Sequence, residues 1–442
     1  MTDTATDVIT ELKDWLSDNW DPDLTVAQWW ERLGLAGWSA PSLPKNAYGR
    51  ELSRADSVRV QQTIAEHGAL GAPGGLGLLL AAPTIATHGT QEQIDKYVRD
   101  IVTGQQAWCQ LFSEPGAGSD LAGLTTKGVK DGDEWTFNGQ KVWTSGGQVA
   151  DLGMLLARTN VEVPKHQGIS YFALEMHQDG VDVRPLKEIT GHAMFNEVFM
   201  SDAHCHDDAL IGGLNNGWAV ANTTLGFERA GLGAGGGSAA GGSATPGTVA
   251  KQLDRRAGDF VSAPAGGGGG RRRGGGGGMA GMLGGSAGLI TELAKGNGKI
   301  KDPTIRQDLM KLHTLGEIAK YNGLRSKALR QAGKPDFPGS ANIAKLQMSL
   351  MLRLGRETGM RIVGPYGTLH AYKPEDQEVL NNATGNPFLP GVTGQALYSP
   401  GPSIYGGTDE IQHNIIGERV LGLPKEPNND KTAAFKDLPK NG

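Results

Sequence analysis

Two runs of the chain decide its fold: WCQLFSEPGAGSD at residues 108–120 and NGQKVWTSGG at residues 138–147. Each run combines glycine and small hydroxyl residues with large aromatic rings. In the first run, proline fixes one backbone dihedral and the glycines permit others, so a turn with exposed amides is predicted. Such amides beside an aromatic wall suit a flat cofactor that carries phosphates, although an ordinary surface connection has the same turn residues.

Composition argues against several classes of function. The 442 residues carry a formal net charge of -5, which gives no reason to expect nucleic acid or an anionic membrane as a partner. No apolar run approaches the roughly 18 residues that cross a bilayer, and the N-terminus shows no secretory signal. The two cysteines cannot form a disulfide framework, which favours a cytoplasmic location.

The hydrophobic pattern changes twice along the chain and predicts three parts. Residues 1–108 are typical of helices, residues 109–215 of closely spaced short strands, and residues 216–442 of helices again. A glycine-rich insert at about 235–288 cannot bury enough apolar surface to order itself, so we expect it to be flexible.

The third part contains a helix start and two apolar stripes. Asp302 followed by Pro303 predicts the start, because Asp caps free amides and proline fits the first turn. Two sets of apolar side chains at helical spacing are expected to face the core of a helix bundle. They are Ile305, Leu309, Leu312 and Leu315, and Ile343, Leu346, Leu350 and Leu354.

The two opening runs, extended to residues 108–124 and 138–158, closely resemble the flavin-binding middle domain of the acyl-CoA dehydrogenases. A third run, IYGGTDEIQ at residues 404–412, resembles the same family near its C-terminus. Three motifs in the family's order are more specific than one, and the resemblance covers nearly the whole chain outside the glycine-rich insert. It implies an α+β multidomain fold: a helical N-terminal domain, a β middle domain and a C-terminal four-helix bundle.

The resemblance also implies an activity, a cofactor and partners. The family's reaction is FAD-dependent α,β-desaturation of an acyl-CoA thioester: a carboxylate removes the α-proton and the β-hydrogen leaves as hydride to flavin N5. An electron-transferring flavoprotein is the implied acceptor. The GPYG turn at residues 364–367 resembles one that touches a neighbouring subunit's flavin, which favours a homodimer or homotetramer, but it could equally be a helix-ending turn. The acyl group cannot be read from these residues.

The position of the base departs from the commoner family pattern. Many members carry it in a Tyr-Glu-Gly-Thr run, where this chain has YGGT at residues 405–408. Gly406 cannot take a proton, but its backbone N–H can still donate to the thioester oxygen. Members resembling isovaleryl-CoA and long-chain dehydrogenases keep glycine there and carry the base in a Leu-Glu-Arg-like run, which implies Glu228 here. By residue type alone, Glu228 and Arg229 are a charged pair on a solvated helix face.

Matches to the family's flavin-contact positions imply a set of cofactor-binding residues: Gln110, Phe112, Ser113, Gly118, Ser119, Trp143, Thr144, Ser145, Gly364, Thr408 and Glu410. Ser119 and Arg229 are implied to bind the substrate. Trp143 has an alternative role as a core residue, since tryptophans are often buried. Glu410 is an outside candidate for the base.

Two further motifs resemble binding sites but are not expected to be binding sites. His204-Cys205-His206-Asp207 has no second ligand cluster, so no metal is expected. Arg271-Arg272-Arg273 lies near where many relatives carry an Arg-x-Phe-Gly turn on the flavin phosphates; it could bind a phosphate, but a solvated charge run is favoured. Two other functions stay open: a partner subunit without a base in a heterotetramer, and a flavin monooxygenase or oxidase on the same scaffold.

Overall fold

A computed structural model describes residues 3–233, 244–261, 279–427 and 430–439 of the chain. Residues 235–243 and 262–278 of the predicted glycine-rich insert, including Arg271-Arg272-Arg273, lie outside these residues. Residues 244–261 differ from the expected flexible insert, because Ala244 and Ala257 are buried in the core of the N-terminal helices.

The N-terminal part is helical. Its helices are α1 (Asp3–Asn19), α2 (Val26–Leu35), α3 (Arg54–Glu66), α4 (Ala82–His88), α5 (Gln91–Gln93) and α6 (Arg99–Val102). Thr25 starts α2 because its side chain accepts a hydrogen bond from the Gln28 N–H. The buried indoles of Trp29 and Trp30 donate to the carbonyls of Leu70 and Gly71 at 2.7 and 2.8 Å. These bonds fix the segment that leads into a π-helical turn at Gly77–Ala81.

The middle part is one eight-stranded sheet with the order β6-β7-β3-β2-β4-β5-β8, and β1 pairs in parallel with β4. The strands are β1 (Trp108–Leu111), β2 (Lys127–Asp131), β3 (Glu134–Ser145), β4 (Leu152–Arg158), β5 (Ile169–Glu175), β6 (Val181–Leu186), β7 (Phe195–His206) and β8 (Leu210–Ile211). β4 is buried along its whole length, so the sheet is covered on both faces there. One face packs against the N-terminal helices through Trp108 and Phe112.

The C-terminal part is helical again. Its helices are α7 (Gly217–Gly233), α8 (Met279–Gly296), α9 (Pro303–Gln331), α10 (Ser340–Val363), α11 (Pro374–Thr384), α12 (Leu389–Tyr398) and α13 (Asp409–Ile415). The predicted start of α9 is confirmed, because the Asp302 carboxylate accepts the Thr304 N–H at 2.8 Å and Pro303 occupies the first turn. The order of helices, sheet and helices confirms the predicted fold class.

The two predicted apolar stripes have different outcomes. Ile305, Leu309 and Leu312 are buried in α9 as expected. In α10 the prediction is wrong, because Ile343 and Leu350 are 36% and 45% exposed. The helix instead buries a neighbouring face that carries small residues and packs against α8 and α12. A Cβ at Gly359 would already lie 3.1 Å from the Val392 side chain, so the close approach of α12 selects that face.

Candidate active site

The two motif runs lie side by side in space. After β1 the chain turns sharply, and Glu114 and Ala117 exchange two backbone hydrogen bonds of 3.1 and 3.0 Å. The Val142 N–H in β3 donates to the Ser113 carbonyl at 2.9 Å. The turn of residues 114–117 is therefore attached directly to the strand that carries the second run.

A buried ion pair joins the same two runs. The Lys141 ammonium donates to the Glu114 carboxylate at 2.8 Å and to the Phe112 carbonyl at 3.0 Å. The N–H groups of Thr125 and Thr126 donate to the same carboxylate at 2.7 and 2.9 Å. Burial alone would raise the pKa of Glu114, but Lys141 and these hydrogen bonds lower it to about 2. We did not predict either charged residue as part of the site, although both stand inside the motif runs.

Trp143 occupies an unusual backbone position. Its φ is +63°, which is uncommon for a bulky residue, and the β3–β7 register shifts between Lys141 and Thr144. The indole is 56% exposed and packs edge-on against Phe195 with a centroid distance of 5.8 Å. The exposed ring rules out the alternative in which Trp143 is a core residue. Backbone strain of this kind persists where the surrounding structure enforces it, often at binding sites.

A second polar contact fixes the residues that follow Trp143. Thr144 is fully buried, and its backbone carbonyl accepts a hydrogen bond from the Asn196 side-chain amide at 3.0 Å. Ser145 is half-buried beyond it. Asn196 was not predicted as part of the site, because a single asparagine in a strand gives no signal of its partner.

The predicted cofactor residues on the first run divide into exposed and buried positions. Gly118 and Ser119 are exposed, and a Cβ at Gly118 would meet no heavy atom within 4 Å. Phe112 is buried and packs edge-on against Tyr171 at 6.2 Å. Gln110 and Ser113 are half-buried. The turn thus offers an open surface of amides and one hydroxyl, with an aromatic pair beneath it.

Glu228 lies on α7 and reaches the first motif strand. The Gln110 side chain on β1 lies close enough to its carboxyl group to lower the Glu228 pKa. Burial raises the pKa of Glu228, against the opposing effects of Gln110 and of the neighbouring Arg229. The pair of Glu228 and Arg229 is half-buried, so it is not on a fully solvated helix face. Arg229 also lies near Arg419, which acts with burial to lower the Arg229 pKa.

The third motif run forms the turn before α13. Gly406 and Gly407 have φ values of +65° and +82°, and the buried Gln412 side chain donates to the Gly406 carbonyl at 2.9 Å. Thr408 caps α13 by accepting the Ile411 N–H at 3.2 Å. Behind it, the Asp409 carboxylate is buried and pairs with Lys345 of α10 at 3.0 Å. The backbone conformation at Gly406 is thus held from both sides.

The structure brings some of the predicted residues together and leaves others apart. Gln110, Ser113 and Glu228 belong to one neighbourhood with the Trp143 strand. Gly406 and Thr408 of the third run hydrogen-bond to Gln412 and Ile411 of that same run. α10 packs against both α7 and α13, so it is the element that sets their separation. The residues outside the neighbourhood are Gly364, Gly406, Thr408 and Glu410, of which Gly364 and Glu410 are exposed.

Comparison with known proteins identifies the family. Models of the acyl-CoA dehydrogenase N-terminal, middle and C-terminal domains match residues 2–105, 109–203 and 275–421. The acyl-CoA dehydrogenase IpdE1 of Mycobacterium tuberculosis is 33% identical over 401 residues, which cover 90% of the chain and 88% of that relative. The chain belongs to the acyl-CoA dehydrogenase family. Its members are FAD-binding oxidoreductases, so the predicted family, enzyme class and cofactor are confirmed.

Two further comparisons differ in what they cover. The acyl-CoA dehydrogenase FadE34 of Mycobacterium tuberculosis is 46% identical over 203 residues, which cover 46% of the chain and 28% of that relative. The crystal structure of an acyl-CoA dehydrogenase from Geobacillus kaustophilus superposes with a TM-score of 0.62. It is 23% identical and covers 95% of this chain and 98% of its own, which shows the shared fold.

The residues of the motif runs fit FAD. The exposed Trp143 ring offers a flat apolar face, and the open turn at Gly118 leaves the backbone free to approach a phosphate or a ring edge. Among the described residues, no cluster of three or more His, Cys, Asp or Glu side chains could hold a metal ion. In the same part of the chain, no helix is long and apolar enough to span a bilayer.

Proposed function

We propose that this acyl-CoA dehydrogenase uses Glu228 to remove the α-proton of its thioester substrate. The observation that supports this most is the position of the half-buried Glu228 on α7, beside the Gln110 side chain of the first motif run. A general base works best when its pKa approaches the working pH, and burial moves the pKa of Glu228 in that direction. Gly406 leaves the alternative base position without a carboxylate.

In this proposal the Gly406 N–H stabilises the negative charge that develops on the thioester oxygen. A fixed donor at that oxygen contributes because it needs no reorganisation during the reaction. Gln412 and the capped start of α13 hold the turn that carries Gly406. Within the described residues, the Gly406 N–H donates to no other protein group.

When bound, FAD supplies the acceptor for the hydride that leaves the β-carbon. The residues proposed to hold it are Gln110, Phe112, Ser113, Gly118, Ser119, Trp143, Thr144, Ser145, Gly364, Thr408 and Glu410. In this set the side chains of Thr144 and Phe112 are buried, so their roles are to shape the backbone and the packing beneath the cofactor. The Trp143 ring is the exposed apolar wall.

Charge near the base suits an acyl-CoA. Arg419 lies close enough to Arg229 to lower its pKa, because the two positive charges repel each other. A phosphate group that accepts hydrogen bonds from both guanidinium groups would relieve this repulsion. We therefore assign Arg229, together with Ser119, to substrate binding.

The proposal extends to an acceptor and an assembly. We infer an electron-transferring flavoprotein as acceptor and a homodimer or homotetramer as the working form, with a heterotetramer as the alternative. The stripe of Ile343 and Leu350 on α10, with Met310 on α9, leaves apolar surface exposed, as expected where a second bundle packs. Cys109 and Cys205 are free thiols, which agrees with a cytoplasmic location.

Anaerobic mixing with a panel of acyl-CoA thioesters tests the assignment of the base. Wild-type protein should lose its visible flavin absorbance, and Glu228→Gln should retain FAD but lose this bleaching by a factor of at least about 100, the typical contribution of a general base. Glu410→Gln, which removes the other candidate carboxylate, should still bleach once it is saturated with FAD. Glu292→Gln, which removes an exposed carboxylate on α8, is the matched control and should bleach like wild type. Bleaching by Glu228→Gln at the wild-type rate would refute the base. A rapid reaction of the bleached protein with oxygen would favour the oxidase or monooxygenase alternative.

A further inference from the structure

The last described residues of the chain lie against one end of the sheet. The Phe435 and Lys436 N–H groups donate to the carbonyls of Val163 and Val161 at 2.9 and 3.1 Å. Val161 and Val163 belong to the connection between β4 and β5. We call residues 430–439 the tail clip.

One side chain of the tail clip covers a buried arginine. The Phe435 ring lies over the Arg158 guanidinium at 3.8 Å from the ring centroid. Arg158 is buried and donates to the carbonyls of Ala122 and Leu124 at 2.5 and 3.2 Å. These carbonyls belong to the short turn that directly follows the first motif run, so Phe435 contributes to the closed environment in which that turn is held.

A second side chain of the tail clip completes an ion cluster at the end of the same run. The buried Lys165 ammonium donates to Asp430 at 2.5 Å and to both carboxylate oxygens of Asp120, at 3.0 and 2.8 Å. Asp120 follows Ser119 directly. Two carboxylates thus share one ammonium group, and the tail clip supplies one of them.

We propose that the tail clip is a positioning element for residues 114–124, which we call the cofactor loop, with Asp430 and Phe435 as its positioning residues. The idea rests on the proposed function in one respect, namely that Gly118 and Ser119 contact the cofactor. Arg158 and Lys165 are buried charges that donate to the Leu124 carbonyl and to Asp120 of the loop, and Arg158 also donates to the Lys165 carbonyl. When the tail clip is in place, both cations are shielded from water and their hydrogen bonds to the loop strengthen. The loop is then ordered before FAD binds, which reduces the entropy lost on binding.

The test uses the full-length chain with substitutions in the tail clip. Phe435→Ala and Asp430→Asn each remove one contact, and Phe435→Tyr keeps the ring. Lys436→Ala is the matched control, because it deletes an exposed pair with Glu162 from the same segment. Amide hydrogen exchange at Gly123 and Leu124, whose N–H groups bond to Asp120 and Leu121, reports the order of the loop. The FAD dissociation constant of the apoprotein reports the consequence.

Phe435→Ala and Asp430→Asn should each speed exchange at these amides and weaken FAD binding by about tenfold, the effect of losing one desolvated cation contact. The limiting bleaching rate at saturating FAD and thioester should stay near wild type. Phe435→Tyr, which keeps the ring, should match wild type in both amide exchange and FAD affinity. Equal exchange rates and equal FAD affinity in all four variants would overturn the proposal. If no thioester bleaches wild-type protein while Phe435→Ala still loosens the loop, the proposed activity fails and the tail clip stands.

Discussion

The buried pair of Glu114 and Lys141 makes the strongest energetic prediction. In Glu114→Gln the side chain keeps its shape, but the Lys141 ammonium loses the carboxylate that it contacts at 2.8 Å. Folding lowers the Glu114 pKa from 4.5 to about 2, so the folded state favours the ionised carboxylate over the protonated form by a pKa difference of about 2.5. At 1.36 kcal/mol for each pKa unit, the substitution should lower the free energy of unfolding by about 3 kcal/mol. Measured costs of breaking a buried pair are about 3–5 kcal/mol, which agrees.

Urea unfolding at several pH values measures this effect. Because the pKa of Glu114 is lowered in the folded protein, its contribution is complete above pH 4.5 and is lost as the pH falls toward 2. Glu114→Gln should therefore be destabilised most near neutral pH and should converge on wild type in acid. The double variant Glu114→Gln with Lys141→Met removes the unpaired charge and should recover much of the loss. A loss below about 1 kcal/mol at pH 7 in the single variant, the range of an exposed pair, would refute the reasoning.

Three further outcomes follow from the site and its surroundings. Because burial raises the Glu228 pKa above the ordinary glutamate value of 4.5, kcat/KM for thioester oxidation should fall as the pH drops through a value above 4.5. A fall in kcat/KM that begins only at or below pH 4.5 would contradict the burial argument. Asn196→Ala removes the side-chain hydrogen bond to the buried Thr144 carbonyl and should lower the free energy of unfolding by about 1 kcal/mol and weaken FAD binding, which calorimetry and a flavin titration check. Leu350→Glu should dissociate the oligomer in sedimentation experiments without unfolding the chain, whereas Val379→Glu, on the exposed face of α11, should leave it assembled; a monomeric wild type would contradict this.

The sequence predicted the parts of the fold that depend on local patterns. Closely spaced short strands, the Asp302 cap and the first stripe of α9 follow from residue type and spacing, and the structure has them. The exposed stripe on α10 shows the limit of this reasoning. Helical spacing identifies an apolar face but cannot tell a bundle core from a surface left for another chain, and the small residues at Gly355 and Gly359 decided which face α8 and α12 cover.

The candidate site shows a second limit. The motif runs identified the neighbourhood of Trp143 and Glu228, because each run carries its information in adjacent residues. The contacts that hold the neighbourhood together join distant positions: Lys141 to Glu114 across 27 residues, and Lys165 to Asp430 across 265. A single sequence carries no record of such pairing, since each charged residue alone is most simply assigned to the surface.

Exchange of the substrate's α-hydrogen measures the central claim most directly. Acetyl-CoA and phenylacetyl-CoA have α-hydrogens but no hydrogen on a saturated β-carbon, so they isolate proton removal from desaturation. In D₂O, wild-type protein with FAD bound should incorporate deuterium into these thioesters faster than buffer, as followed by NMR. Glu228→Gln should reduce this rate by at least about 100-fold, and Glu292→Gln, which removes an exposed carboxylate on α8, should not change it. Equal exchange by wild type and Glu228→Gln would contradict the assignment of Glu228 as the base.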